Sequence, residues 1–421
     1  MLGNTDCMKI EIPYNREKIA LEVAPEHFGA ILKLNDMATG GSRRNPVELA
    51  KTAIKGSFEI FMAMPGSTLV IVNDGTRPTP TRFIMDAIGE DLVRAKASFL
   101  IATGSHRAPT DKEYQFIFGS WYEIFRDRIY VHDCHRMEDM DYYGRTSRGT
   151  ELYLNKLVKA AGKVIAIGSV EPHYFAGYTG GRKSFLPGVA AYSSIEHNHK
   201  MALSADSKTL ALKGNPVHED LEEAMTMVKV PVYSIMTVLD RNHEIDTVTA
   251  GDIDESFYKA VEAANGIFTA PLDEKADIVV TAAPYPMDVD LYQSQKAFDN
   301  AKLALKDGGT MILVSACREG IGGEAFVKLL SSADTPDEVL RKIEEGFKLG
   351  YHKAAKMAEV FKWAHVEGYT QIPDDQLRSI FMEPVHDLQK ALDDAIAKHG
   401  PKCKVVFMPD GSITVPLVKT C

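Results

Sequence analysis

Cysteine is scarce in this chain: Cys7, Cys134, Cys317, Cys403 and Cys421 make five in 421 residues, with no CxxC pair. An odd, scattered set excludes a disulfide framework and lacks metal-ligand spacing, and a chain of this size needs no such staples. A reducing cytoplasm is the expected compartment. Long apolar runs are missing as well. No stretch approaches the ~18 residues of a membrane span. The opening MLGNTDCMKIEIPYN has neither the basic segment nor the apolar core of a secretory leader. Positive charge is also in short supply, since 48 Lys and Arg face 58 Asp and Glu for a formal net charge of −10. That balance argues against a non-specific nucleic-acid surface and against an anionic membrane partner.

Several familiar motifs are absent. No GxGxxG follows the early strand-like runs, and HExxH does not occur. The segment GGRKS suggests a Walker A loop, but the spacing fails. Five residues beyond Gly177 stands Arg182, and Gly181 has no glycine five before it. Dinucleotide, zinc-hydrolase and nucleoside-triphosphate sites therefore lose their usual marks.

What is present is a globular α/β pattern. With 45% apolar and 25% charged residues the chain can build a core, and 421 residues suit two domains. Short Val- and Ile-rich runs recur at TLVIVN (68–73), ASFLIATG (97–104), RIYVHD (128–133), KVIAIGS (163–169), VYSIMTVL (232–239), DIVVTAAP (277–284) and TMILVSA (310–316). Most lack alternation, as strands buried on both faces should. Amphipathic stretches separate them, including PVELAKTAIKGSFEIF, DESFYKAVEAANGIF and SQKAFDNAKLALKDG, with further helices expected around 323–331, 335–347, 351–364 and 386–399. The expected fold is α/β, two domains with mainly parallel sheets flanked by helices and a ligand cleft between them. The boundary falls near Ala270–Glu274, giving domains 1–270 and 275–421. Hairpins are expected at both ends, over MKIEIPYNREKIALEV and over CKVVFMPDGSITVPLV with a turn at Asp410-Gly411.

Ligands of open α/β sheets bind past the carboxyl ends of the strands. Asp74 and Arg77 follow the first run, His106 the second and His173 the fourth, while Tyr292, Gln293 and Lys296 follow DIVVTAAP. Singly, each has a plain alternative. Asp74 with Arg77 can staple a turn, His106 can be a loop histidine, and Gln293 with Lys296 can form a solvated helix face. Together they place reactive groups at four strand ends. The segment Glu171–Lys200 is densest, holding His173, Gly177, Gly180, Gly181, Arg182, Lys183, Ser184, His197 and His199. Backbone amides with Arg182 and Ser184 could hold a monophosphate or another anion. His197 and His199 lie two apart, so they cannot share a helix face. Two histidines with ordinary values near ~6.5 suit proton transfer in both directions, as a racemase or epimerase requires. Arg77 and Lys296 suit a substrate carboxylate.

The segments DGTRPTP, ATGSHRAPT, EPHYFAGYTGGRKSFLPG, the His199 region and YPMDVDLYQSQKAF together resemble the nickel-dependent lactate racemase family. The resemblance spans most of the chain. It implies a nickel-pincer nucleotide cofactor, a pyridinium-3,5-bisthiocarboxylic acid mononucleotide, attached through Lys183, with His199 as nickel ligand. It implies His106 and His173 as paired acid/bases. Asp74, Arg77, Gly180 and Gly181 then belong to cofactor binding, and Tyr292, Gln293 and Lys296 to substrate binding. The implied reaction racemises or epimerises a small 2-hydroxycarboxylic acid by reversible hydride transfer, with cofactor-synthesis proteins as transient partners. Trp363 and His197 take no assigned role, His197 being read as a bystander. A 2-hydroxyacid dehydrogenase, a metal-assisted lyase and a non-catalytic metal- or anion-binding protein remain alternatives.

Overall fold

The computed structural model describes residues 7–35 and 45–419. Of the opening segment read for a leader, Met1–Asp6 lies outside the described residues. Among the described residues no helix is long and apolar enough to cross a membrane. The chain forms two compact units, one of Asp36–Ile267 and one of Met1–Asn35 with Phe268–Cys421.

The Asp36–Ile267 unit is built on a six-stranded sheet. Its spatial order is Ile245–Gly251, Val232–Leu239, Lys163–Ser169, Thr68–Asn73, Ser98–Ala102 and Ile129–Val131. Only the first pair is antiparallel; the others run parallel. Lys163–Ser169 is buried along its whole length, which is why its sequence shows an unbroken apolar run rather than alternation. Helices Pro46–Ile54, Thr81–Arg94 and Asp111–Phe118 supply Ile54, Ile84, Ile88 and Ile117 to a core with Val70, Phe99 and Ile165 of the sheet. The stretch PVELAKTAIKGSFEIF breaks into two helices at Gly56, which takes φ 80°. Thr68–Asn73 lies between Lys163–Ser169 and Ser98–Ala102, so three of the expected site loops leave neighbouring parallel strands on one edge.

The second unit has an all-parallel six-stranded sheet. Its order is Glu383–Pro384, His365–Tyr369, Leu305–Val314, Ala276–Ala282, Val405–Met408 and Phe28–Ile31. Two expectations change here. The opening hairpin forms as read, Met8–Tyr14 against Glu17–Val23. However, Cys7–Asn35 join this unit rather than a domain running from residue 1 to 270. Ile10, Ile12, Leu21 and Val23 are buried against Ile278, Ile312 and Leu392, and Phe28–Ile31 forms an edge strand beside Val405–Met408. Local pattern cannot reveal which distant sheet a hairpin covers.

The closing hairpin does not form. Val405–Met408 is buried throughout and parallel to its neighbours, while Val415–Val418 pairs in parallel with Thr269–Leu272. The unbroken VVFM run is the mark of a strand buried on both faces. The Asp410-Gly411 turn instead redirects the chain, with the Gly411 N–H donating to Ala282 O at 2.8 Å.

Candidate active site

Asp74 leaves the strand Thr68–Asn73 and is only 3% exposed. Its Oδ1 accepts from the Thr76 N–H at 2.8 Å and from Thr76 Oγ1 at 2.6 Å, and its Oδ2 lies 2.8 Å from His106 Nδ1. Burial pushes the Asp74 carboxyl up, but hydrogen bonds from His106 and Thr76 outweigh it and hold the group below its ordinary value. It is a carboxylate gripping one side of an imidazole that is otherwise exposed to solvent. A second brace fixes the segment that follows His106. Arg107 bonds Glu113 through both guanidinium nitrogens, at 2.7 and 2.9 Å, and Glu113 also accepts from the Thr110 N–H. Arg107, then Thr110, bring the Glu113 carboxyl down to about 2. Gly75 makes room for it, since a Cβ there would sit 2.4 Å from Glu113 Cγ.

His173 ends the two-residue strand Pro172–His173, which pairs antiparallel with Gly177–Tyr178. Gly177 takes φ 77°, and a Cβ on it would meet Ala211 O at 2.2 Å, so only glycine closes this turn. The turn aims the Ala176 and Phe175 N–H groups at His173 Nδ1, at 3.3 and 3.5 Å. Phe175 is 2% exposed and adjoins three expected site residues. The His173 ring lies 4.5 Å from its centroid, the His199 ring 5.1 Å, and Lys183 Nζ 5.3 Å. Nothing in its apolar pattern distinguishes Phe175 from an ordinary core residue.

Loss of hydration, then the nearby Arg77 charge, bring the Lys183 ammonium down to about 7 against a weaker pull from Glu171. Near neutrality a large share of Lys183 is therefore a free amine, the nucleophilic form.

The anion cradle expected of GGRKS is not built. Arg182 turns away into ion pairs with Asp254 (2.8 Å) and Glu222 (3.2 Å), its guanidinium near the rings of Phe257 and Tyr258. The Gly181 N–H points to Met236 Sδ and the Lys183 N–H to Gly180 O. Gly180 and Gly181 have positive φ, and a Cβ on either would strike Val170 Cγ2 (2.6 Å) or Phe257 Cδ2 (2.8 Å). Close packing is reason enough for both glycines. Arg182 thus anchors the turn from which Lys183 projects. The helix Tyr192–Lys200, which carries His199, is anchored through Asn198 Nδ2 to the fully buried Asp220 at 2.8 Å, which also accepts from Thr146 and Thr150. His197 bonds Arg148 O at 3.0 Å, apart from the Phe175 group.

In the other unit Asp290 caps the helix Leu291–Ala301, accepting from the Gln293 N–H at 2.7 Å. Gln293 and Lys296 are exposed on it, three apart. Tyr292 packs on Phe326, and Lys353 Nζ lies 3.4 Å from its ring centroid. Burial, then Asp290, push the Tyr292 hydroxyl up. Asp410 is an unforeseen neighbour of Lys296. Burial drives its carboxyl up to about 6, opposed by the Ser412 N–H and the Lys296 charge. Trp363 lies elsewhere, its carbonyl accepting from Gly308 near the amino-terminal end of Leu305–Val314.

Among the described residues no group of three or more His, Cys, Asp or Glu side chains could hold a metal ion. A metal carried by an organic group needs less from the protein, and one imidazole, His199, meets that demand. A tether needs a neutral amine, which Lys183 supplies. The residues present fit such a cofactor.

Models of the lactate racemase N-terminal domain and the lactate racemase C-terminal domain match residues 14–211 and 272–415. The chain belongs to the lactate racemase family. The lactate racemase of Thermoanaerobacterium thermosaccharolyticum is 31% identical over 96% of this chain and 97% of its own length. That of Lactiplantibacillus plantarum is 28% identical over 96% and 98%. The solved apoprotein structure of the former superposes with TM-score 0.88 at 30% identity, covering 97% of this chain and all of that one. A Thermotoga maritima protein, 17% identical with TM-score 0.64, covers 90% of this chain and all of its own and shares the fold. The named relatives are racemases, and this chain is an isomerase of their family.

Proposed function

We propose that the protein interconverts the enantiomers of a 2-hydroxyacid, lactate or a related acid, with His106 and His173 as the groups that hold the hydroxyl proton. The observation that carries this reading is the grouping of His173, Lys183 and His199 around Phe175, with Asp74 fixing His106 at a neighbouring strand end. Lys183 would tether a nickel-pincer nucleotide through its amine, and His199 would ligate the nickel. When bound, that group supplies an acceptor for the α-hydride that can also return it.

His106 and His173 bind the hydroxyl end of the substrate and manage its proton. Arg77 keeps positive charge beside Lys183 and suits an anionic group of cofactor or substrate. Lys296 is proposed to bind the substrate carboxylate or polarise its oxygen, with Tyr292 and Gln293 as further substrate contacts. The cytoplasm and transient cofactor-synthesis partners belong to the same proposal.

The test is a chiral screen of 2-hydroxyacids with protein produced alongside the cofactor-synthesis enzymes. One acid should racemise, the protein should contain nickel, and Lys183 should carry a mass adduct. Lys183→Ala should lose adduct and activity together; full activity in that variant would end the reading. An α-deuterated substrate should keep its label. Rapid exchange of the α-position with solvent would favour enolisation instead.

A further inference from the structure

The two histidines meet opposite kinds of partner at the same ring atom. His106 Nδ1 faces Asp74 Oδ2 at 2.8 Å, and Asp74 is an acceptor whose other oxygen is taken by two donors from Thr76. An ionised carboxylate can only accept, so His106 must carry a proton on Nδ1. In the neutral ring this leaves Nε2 bare. His173 Nδ1 faces the N–H groups of Ala176 and Phe175, which can only donate. Its Nδ1 must be bare, and the single proton of the neutral ring sits on Nε2.

We infer that the two rings are held in complementary tautomers, His106 as a proton acceptor at Nε2 and His173 as a hydrogen-bond donor at Nε2. This rests on the two-histidine reading above and gives its members different jobs. His106 can take the substrate hydroxyl proton as it stands, becoming an imidazolium beside Asp74. His173 as it stands can donate a hydrogen bond to the substrate oxygen but cannot accept a proton there. To do so its proton must first leave Nε2, and a proton on Nδ1 would meet two N–H groups unless the ring or the 174–176 turn moves. Asp74 is therefore a positioning residue acting through His106. The two reaction directions then differ in kcat. Their kcat/KM values stay equal, because enantiomers have equal free energy in solution.

The test uses full-length protein labelled with ¹⁵N-histidine, with long-range ¹H–¹⁵N correlations recorded above neutral pH and assigned through His106→Gln and His173→Gln. His106 should show its proton on Nδ1 and His173 on Nε2. In Asp74→Asn the amide can donate to Nδ1, so His106 should switch to the Nε2 form while His173 is unchanged. Turnover in that variant should fall on the order of 10²–10⁴-fold. Both wild-type rings in one tautomer, or His173 protonated on Nδ1, would overturn the inference, and the wild-type spectrum alone decides this. The spectrum does not depend on turnover. Wild-type rates in cofactor-loaded His106→Gln would instead defeat the proposed function and leave the tautomer assignment standing.

Discussion

Replacing Lys183 with methionine keeps an unbranched side chain one atom shorter and removes an amine that the fold disfavours in its charged form. Burial and Arg77 bring the ammonium from 10.5 down to about 7. At about 1.4 kcal/mol per pH unit, this corresponds to an upper bound of about 5 kcal/mol of destabilisation. The pH window follows from which state holds the proton. Between about 7 and the unfolded value of about 10.4, the unfolded chain is protonated and the folded chain is not, so stability rises with pH across that range. Below 7 both states are protonated and the full penalty applies. The assay is denaturant unfolding of cofactor-free wild-type and Lys183→Met protein at pH 6 and pH 10. The variant should be more stable than wild type by about 2–5 kcal/mol at pH 6, with the gap narrowing steeply by pH 10. A difference that does not vary with pH, or a variant less stable at pH 6, would refute the reasoning. The same substitution should abolish covalent attachment of the cofactor, read by mass spectrometry.

Three further substitutions probe other parts of the structure. Gly411→Ala places a Cβ 2.1 Å from Thr281 Oγ1 on backbone tied to Ala282 and Asn300, and should cost about 1–3 kcal/mol in thermal or denaturant unfolding. Adding Thr281→Ala should recover part of that loss, and strict additivity would exclude the clash as its cause. Glu113→Gln should weaken the brace to Arg107 only slightly, because solvent screens the pair. The Glu113 carboxyl is lowered to about 2, so its contribution is present above about pH 4.3 and lost as pH falls toward 2. Wild type and variant should therefore converge in acid unfolding. Lys296→Met should raise KM for the 2-hydroxyacid by about 10–100-fold, the worth of a charged hydrogen bond, and an unchanged KM would remove Lys296 from substrate binding.

The strand runs at 68–73, 163–169 and 232–239 match the structure residue for residue, because a strand buried on both faces must be an unbroken apolar segment. The same physics misleads at the carboxyl terminus. VVFM and VPLV, with Asp410-Gly411 between them, satisfy the local pattern of a hairpin. Their partners are Ala276–Ala282 and Phe28–Ile31 for one, and Thr269–Leu272 for the other. In the site, strand ends point to Asp74, His106 and His173, and the glycine-rich segment Glu171–Lys200 to Lys183. Phe175 could not be singled out, because its importance lies in which rings surround it. Arg182 adjoins Lys183 and Ser184 in sequence, whereas its partners Glu222 and Asp254 lie on other elements.

Sequence by itself determined the α/β class, the existence of two units and a set of candidate site residues. The class and the two units follow from composition and periodicity, which are local, and the candidate roles from the family resemblance that the motifs carry. Tertiary structure alone decided where Cys7–Asn35 belong, that the GGRKS arginine is an anchor, and that the lysine beside it loses enough hydration to hold a free amine near neutrality. It also decided which ring nitrogen of each histidine meets an acceptor and which meets a donor. Hydration, charge and hydrogen bonding at a given atom are set by whatever the fold brings within a few ångströms of it, and no reading along the chain contains that distance.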